Sequence, residues 1–427
     1  MEADIIIKNG MVLTMDDKFT LHKKADVAVS DSKIISISEK TNHTSKKIIE
    51  ADGMLVMPGL INCHTHAAMT LLRGLADDMP LDVWWNKFIF PIEKKFVNPE
   101  FVRIGCGLAA IEMIKSGTTS FADMYFYEDA AAEICKQIGI RAFLGEGILD
   151  FPTPDSKSAD EALIKIEKLH EKWGKDPIIH LMVAPHAPYS CSAENLIKSR
   201  KLADKLNLPL HIHLAETASE AAEVENLERI GFLCDRLSAA HCVHLSKKDM
   251  DILKKRDVKV AHCLESNMKL ASGAAPIVEM NDLGITIGLG TDGAASNNNL
   301  DMFDEMDAAA KVHKLVRSDP TVMDAKTVLK MATGGAAKVL LKEKEIGSLE
   351  VGKKADIIIL DLNRPHLTPL YNIYSNLVYS AGGGEVDTAI INGKLIMENR
   401  DILTIDEEEI IDRANSIARR IENEIKT

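Results

Sequence analysis

From Asp4 to about Met57 the chain runs in short apolar stretches broken by turn residues: DIIIKNGMVLTM, DVAVSDSKIISIS and KIIEADGMLVM. β-Branched residues bounded by Asn-Gly, Asp-Ser and Asp-Gly read as strands joined by tight turns. The same texture returns near the other end in GSLEVGKKADIIILDL and VDTAIINGKLIMEN, with Val-Gly and Asn-Gly at the turns. Two flanks of one character predict a single small β-sandwich domain, assembled from residues 1–57 and 346–427. The second flank closes with DEEEIIDRANSIARRIENEIKT, whose spacing predicts an amphipathic, solvated helix.

Between the flanks, over residues 58–345, apolar strand-like runs alternate with helical patterns. Such alternation is the mark of parallel α/β architecture. Strands are predicted at PGLINCHTH, GTTSFADM, RAFLGEGI, IIHLMVAPHA, PLHIHLAE, LSAAHCVHL, VKVAHCLES and ITIGLGTDG. Eight is the number that closes a (β/α)8 barrel. Helices fit between them, as in PEFVRIGCGLAAIEMIKSG, where apolar residues recur every three or four positions and Gly117 marks the stop.

The 427 residues are 46% hydrophobic, ample for one large barrel and a smaller domain. A formal net charge of -13 leaves no basic footprint for nucleic acid or an anionic membrane. With neither a leader-like N-terminus nor an apolar run of about 18 residues, the chain reads as a soluble, cytoplasmic protein with a small-molecule partner. The composition leaves room for a homo-oligomer. The seven cysteines are scattered and never form C-x-x-C, so neither a disulfide framework nor a thiolate zinc knot is expected. Cys63, Cys242 and Cys263 read as buried thiols without a chemical role.

Polar chemistry gathers at the carboxyl ends of the predicted strands, where barrel enzymes place their active sites. The first strand carries His64 and His66, the fourth His186, the fifth His213 with Glu216 just beyond, the sixth His241 and the eighth Asp292. In a His-x-His pair on a strand both imidazoles emerge on one face. His64, His66, His213 and Asp292 form a nitrogen-and-carboxylate set suited to a divalent ion, zinc first, with iron or manganese also served. His211 shares the inner face of its strand but lies deeper. The fourth strand and its surroundings, from Asp176 to Ile197, contain no lysine to bridge two metals, so one ion per chain is expected. Glu216 then stands where it can move a proton on a substrate above the metal.

The ordered motifs PGLINCHTHAAMTLLRG, HIHLAET, AHCVHLS, ESNMKLASG and GLGTDGAASNNNLDMF together resemble the amidohydrolase superfamily. Within it they are similar to the adenosine-type deaminases acting on S-adenosylhomocysteine, 5'-methylthioadenosine and 5'-deoxyadenosine. The resemblance spans almost the whole chain. It implies a (β/α)8 barrel with one metal on His64, His66, His213 and Asp292, and catalytic roles for Glu216 and His241. It also implies nucleoside contacts from His186 and from Glu93, which sits in the aromatic stretch VWWNKFIFPIEKKF that would fold over the barrel mouth. One departure is HCLESN, where relatives commonly carry His-Asn-Pro before the Glu-Ser-Asn; it bears on the loop after the seventh strand and leaves the metal set untouched. The cytidine-deaminase solution is excluded, because P-C-x-x-C is missing.

The implied reaction is hydrolytic deamination at C6 of a purine nucleoside. Asp292 would accept a proton from the attacking water, His241 would orient that water, and Glu216 would protonate N1 before ammonia leaves. Two alternatives use the same barrel: a related hydrolase acting on guanine or a chlorotriazine, and a non-catalytic scaffold, from which missing metal ligands would be expected.

Overall fold

The computed structural model of the chain describes residues 2–220 and 222–425. Eight parallel strands stand in the eight predicted places: Leu60–Thr65, Thr118–Tyr125, Arg141–Ile148, Ile179–Pro185, Leu210–Leu214, Leu237–His241, Lys259–His262 and Ile287–Leu289, numbered here as barrel strands one to eight. Each pairs with its neighbour in chain order. Both faces are covered, and in strands two and three every residue is buried. Closure between strands eight and one relies on polar side chains. Asn62 Nδ2 donates to Thr291 Oγ1 at 2.7 Å, Thr291 N donates to Asn62 Oδ1 at 3.1 Å, and Asp292 N donates to the His64 carbonyl at 2.9 Å. This seam places the chain around His64 beside the chain around Asp292.

The helices begin where the caps say they should. Asn98 accepts from the amides of Glu100 and Phe101 at the head of Pro99–Lys115, and Ser246 with Asp249 forms a full capping box on Lys247–Lys255. Gly117, just past the first of these, takes the left-handed conformation that ends a helix without strain. The C-terminal helix, Glu407–Ile425, departs from the expectation of a solvated element. Ile410, Ala414, Ile417 and Ile421 are buried, and the helix packs against Pro99–Lys115. An apolar stripe at this spacing needs a partner, which the sequence could not identify. No helix among the described residues is long and apolar enough to cross a membrane.

The two flanks meet in one mixed sheet. Its strands are Glu2–Leu13, Leu21–Ser30, Lys33–Ser38, Thr44–Glu50 and Met54–Pro58 from one end, and Ile357–Asp361, Val386–Ile391, Lys394–Glu398 and Asp401–Ile402 from the other. The seam is the antiparallel pair of Met54–Pro58 with Ile357–Asp361, where Val56 lies opposite Ile359. Ile7, Val27, Val29, Leu349 and Ile390 pack with them into a core separate from the barrel. The apolar run MLVMPGLINC is thus shared between two sheets, and the chain crosses at Gly59. A Cβ there would lie 2.1 Å from Thr119 Oγ1, so only glycine passes without displacing the second barrel strand.

Arg141, at the start of barrel strand three, clamps Asp356 beside the terminal sheet through Nε–Oδ2 at 2.8 Å and Nη2–Oδ1 at 3.1 Å, both side chains being almost fully buried. Removing one partner strands a buried charge. Asp356→Ala is therefore expected to destabilise the protein by roughly 3–5 kcal/mol in chemical denaturation. Replacing both partners, Arg141→Met with Asp356→Leu, should recover part of that loss, and a double variant worse than the sum of the singles would contradict this account.

Candidate metal and catalytic site

The structure brings His64, His66, His213 and Asp292 to one point at the carboxyl end of the barrel. His213 Nε2 lies 3.2 Å from His64 Nε2 and 3.3 Å from His66 Nε2, while Asp292 Oδ1 lies 3.4 and 3.3 Å from the same two nitrogens. Ligand atoms in a tetrahedral set with bonds of about 2.0–2.1 Å stand about 3.3–3.4 Å apart, which is the spacing found.

The outer ring nitrogens decide which tautomers face inward. His66 Nδ1 donates to the Met124 carbonyl at 2.6 Å, and His213 Nδ1 donates to the His186 carbonyl at 2.8 Å. His64 is fixed by a longer relay. Ser238 Oγ donates to the Leu210 carbonyl and so accepts from His211 Nδ1 at 2.6 Å, which leaves His211 Nε2 to accept from His64 Nδ1 at 2.7 Å. All three Nε2 atoms therefore present lone pairs to one another. Burial pushes the His64 pKa down to about 4 and that of His213 well below the ordinary value, so both rings are neutral. Three converging lone pairs beside a carboxylate are repulsive by themselves and fit a cation at their centre. His211, the deeper histidine on barrel strand five, stands behind this nest as the group that sets the His64 tautomer.

Asp292 is held from behind: Ser266 Oγ donates to its Oδ2 at 2.7 Å, and the Gly293 amide donates to Oδ1 at 2.7 Å. Glu216 and His241 lie beside the nest, with His241 Nε2 3.7 Å from Glu216 Oε2. Asn267 Oδ1 accepts from His241 Nδ1 at 3.0 Å and turns Nε2 toward the glutamate. Burial, reinforced by Asp292 and Glu220 and opposed by His241, raises the Glu216 pKa. For His241, burial works against the charged ring, but the Glu216 and Asp292 carboxylates outweigh it and the pKa rises. The backbone is strained here too: His241 and Asp292 have φ of 70° and 62°.

Glu93 reaches the same cavity from the segment after the first strand, where helical turns run from Leu81 to Phe96. It is 1% exposed. Tyr125, the last residue of barrel strand two, donates its hydroxyl to Glu93 Oε1 at 2.6 Å, and Oε2 is buried without a protein partner. Burial lifts the Glu93 pKa to about 7 against the lowering effect of Tyr125. His186 lines the cavity with its Nδ1 bonded to Ser190 Oγ at 2.8 Å and its ring 5.8 Å from that of Trp85. The cavity has a volume of about 1040 Å³. All seven cysteines are buried and free, and none takes part in the metal nest.

Of the residues singled out for chemistry in the sequence, His66, Glu93, His186, His213, Glu216, His241 and Asp292 line this cavity, and His64 is buried beside them, 3.2 Å from His213 and 3.4 Å from Asp292. Tyr125, Ser266, Asn267 and the His211–Ser238 pair are additions from the structure. Ser266 and Asn267 lie within the quoted ESN motif, and Tyr125 directly follows the predicted strand GTTSFADM at the active face, so position was a usable signal for these three. The relay through Ser238 had none.

Residues 55–396 match the sequence pattern of the Amidohydrolase family. The chain is 46% identical over 438 residues to a 5-methylthioadenosine/S-adenosylhomocysteine deaminase of Thermodesulfovibrio yellowstonii, covering 99% of this chain and all of that one. It is 46% identical over 430 residues to a 5'-deoxyadenosine deaminase of Methanosarcina acetivorans, covering 98% of each. A crystal structure of an adenosine deaminase from Xanthomonas campestris with bound zinc superposes with a TM-score of 0.97 at 38% identity, over 99% of both chains.

Proposed function

The chain belongs to the amidohydrolase family, and from that premise we propose that it is a metal-dependent hydrolytic deaminase of adenosine-type nucleosides. 5'-Methylthioadenosine, S-adenosylhomocysteine, 5'-deoxyadenosine and adenosine would be converted to their inosine analogues with release of ammonia. The observation that carries this reading is one cavity holding three things: a nest of neutral imidazoles with a carboxylate, a buried Glu216–His241 pair beside it, and a buried carboxylate with a free oxygen at Glu93.

We assign His64, His66, His213 and Asp292 as ligands of one divalent ion per chain, zinc before iron or manganese, since the set contains no thiolate and no bridging lysine. When bound, such an ion would lower the pKa of a water held there toward about 7 and so supply a nucleophile at neutral pH. The chain's own groups do the rest. Asp292, whose Oδ2 accepts from Ser266 and whose Oδ1 accepts from the Gly293 amide, is the carboxylate that takes the proton of the attacking water. His241, whose Nδ1–H is given to Asn267 and whose charged ring is favoured by Glu216 and Asp292, donates from Nε2 and fixes the direction of attack. Glu216, with its raised pKa, delivers a proton to N1 as water oxygen bonds to C6. Asp292 then passes the proton it took from the water to the exocyclic nitrogen, the C6–N bond breaks and ammonia departs, and the C6 hydroxyl returns its proton to Glu216 as the ring regains its aromatic system in the 6-oxo product.

Glu93 is the group we assign to the ribose. Tyr125 occupies one of its oxygens, leaving acceptor sites for the vicinal hydroxyls. His186 completes the nucleoside contacts. Guanine has no ribose to satisfy a buried carboxylate and a chlorotriazine has none either, which favours the nucleoside reading over those alternatives. A scaffold would have no use for three aligned Nε2 lone pairs.

An ammonia-release assay across 5'-deoxyadenosine, 5'-methylthioadenosine, adenosine, free adenine, guanine and a chlorotriazine tests the assignment. The nucleosides should be turned over much faster than adenine; a wide advantage for guanine or the chlorotriazine would end it. 2',3'-Dideoxyadenosine should be a poor substrate, by up to about 10⁴-fold, because it leaves Glu93 unpaired. Glu93→Ala should narrow that gap. Tyr125→Phe should raise KM for ribosides more than it lowers kcat.

A further inference from the structure

The cavity is acidic in a way that bears on the 5' substituent, and this inference rests on the nucleoside reading above. Among the described residues lining it, Asp78, Glu93, Glu216, Glu220, Glu223 and Asp292 are carboxylates, and Lys269 is the one lysine; there is no arginine. The Lys269 ammonium is already engaged by Asp77 and Asn298. Asp292 belongs to the metal nest, burial lifts the Glu93 pKa to about 7 and raises that of Glu216, and burial together with the neighbouring Glu220 pushes the Glu223 pKa up to about 8. Glu220 accepts from the amides of Glu216 and Thr217 and from the Thr217 hydroxyl. What sets the lining apart is that its described residues offer no unengaged lysine or arginine.

Size does not discriminate among the tails. A cavity of about 1040 Å³ is large for one small-molecule ligand, so a homocysteine tail is not excluded by volume. The wall next to the proposed nucleoside contact is apolar and aromatic. Trp85 and Tyr189 line it, their rings each 5.8 Å from that of His186, and Trp84, Phe126 and Leu149 lie in the same lining. A methyl group or thioether is at home against such rings. A carboxylate or phosphate would be desolvated there with no unengaged lysine or arginine in the described lining to pair it.

We propose that this site selects adenosines with uncharged 5' groups, such as 5'-deoxy and 5'-methylthio, and discriminates against anionic tails, the carboxylate of S-adenosylhomocysteine and 5'-phosphates included. Charge, not length, sets the preference. This separates substrates that the related deaminases' names group together.

The test is a kcat/KM series on the metal-loaded enzyme with 5'-deoxyadenosine, 5'-methylthioadenosine, S-adenosylhomocysteine, adenosine 5'-monophosphate and 5'-(3-aminopropylthio)-5'-deoxyadenosine. The last compound keeps the length and ammonium of the homocysteine tail and lacks its carboxylate. The two neutral nucleosides should exceed S-adenosylhomocysteine by at least about tenfold, and the monophosphate by more. The aminopropyl compound should recover most of the loss. Raising salt should narrow the gap for the anionic substrates, since screening weakens the repulsion. S-Adenosylhomocysteine turned over as well as 5'-methylthioadenosine would overturn the proposal, and so would an aminopropyl compound as poor as S-adenosylhomocysteine, which would make length the cause. If no nucleoside released ammonia while guanine or a chlorotriazine did, the nucleoside reading itself would fall and this inference with it, a pattern distinct from either of the other two.

Discussion

Glu216→Gln is expected to lower turnover of the preferred nucleoside by at least about 10²-fold while metal content and the folded state stay as they are. Glutamine keeps the volume of the side chain and can occupy the same place beside His241, so the barrel has no reason to rearrange. What it loses is the proton. Burial raises the Glu216 pKa, and Asp292 and Glu220 add to the effect, so the native carboxyl retains its proton closer to neutral pH than an exposed one does. A buried carboxyl of this kind is matched to handing a proton to a ring nitrogen. Elemental analysis and circular dichroism on the variant separate the chemical loss from a structural one. Activity retained in a metal-loaded, folded Gln variant would take Glu216 out of the mechanism. His241→Asn should behave in the same way, keeping metal and losing rate, because His241 Nε2 faces Glu216 and its other nitrogen is held by Asn267.

The second large effect is loss of metal and activity together. Removing His64, His66 or His213 leaves a gap in a set whose remaining atoms are held 3.2–3.4 Å apart by the barrel itself. The three imidazoles cannot shift to compensate, since each outer nitrogen is tied to a neighbour: the Met124 carbonyl, the His186 carbonyl and the His211 ring. Any of the three Ala variants should therefore contain far less than the native amount of metal and show no useful turnover. The native protein should contain about one divalent ion per chain by elemental analysis, and a value near two would refute the single-ion assignment. His211→Phe probes the layer behind. It keeps a ring in the pocket and removes the acceptor for His64 Nδ1, so metal affinity should fall about 10–100-fold without being abolished.

Much of this was legible in the chain because strand periodicity is local. Alternation at His64 and His66 put both rings on one face before any neighbour was known, and eight apolar runs with helices between them left few architectures other than a closed barrel. Given that barrel, the carboxyl end of each strand is one place in space, so His213, His241 and Asp292 joined the first pair although more than 140 residues of chain separate them. The convergence of His64, His66, His213 and Asp292, the place of Glu216 beside them and the split terminal sheet were all within reach of pattern and spacing.

Contacts set by register across strands were not. Whether His64 presents Nδ1 or Nε2 depends on His211 and Ser238, on barrel strands five and six, and on the Leu210 carbonyl to which Ser238 donates. Glu93 read from its neighbours Lys94 and Lys95 looks like a solvated helix residue, yet it is buried because its helix lies over the barrel mouth and Tyr125 meets it there. The C-terminal helix shows the same limit, its stripe visible in the sequence and its partner, Pro99–Lys115, found only on folding. The sequence by itself determined which side chains point inward and at which end of the barrel, since the two-residue period of a strand requires nothing beyond its own backbone. Only the tertiary structure decided tautomers, burial and the charge balance of the cavity, because each of these depends on groups that the closure of the sheet brings within hydrogen-bonding distance.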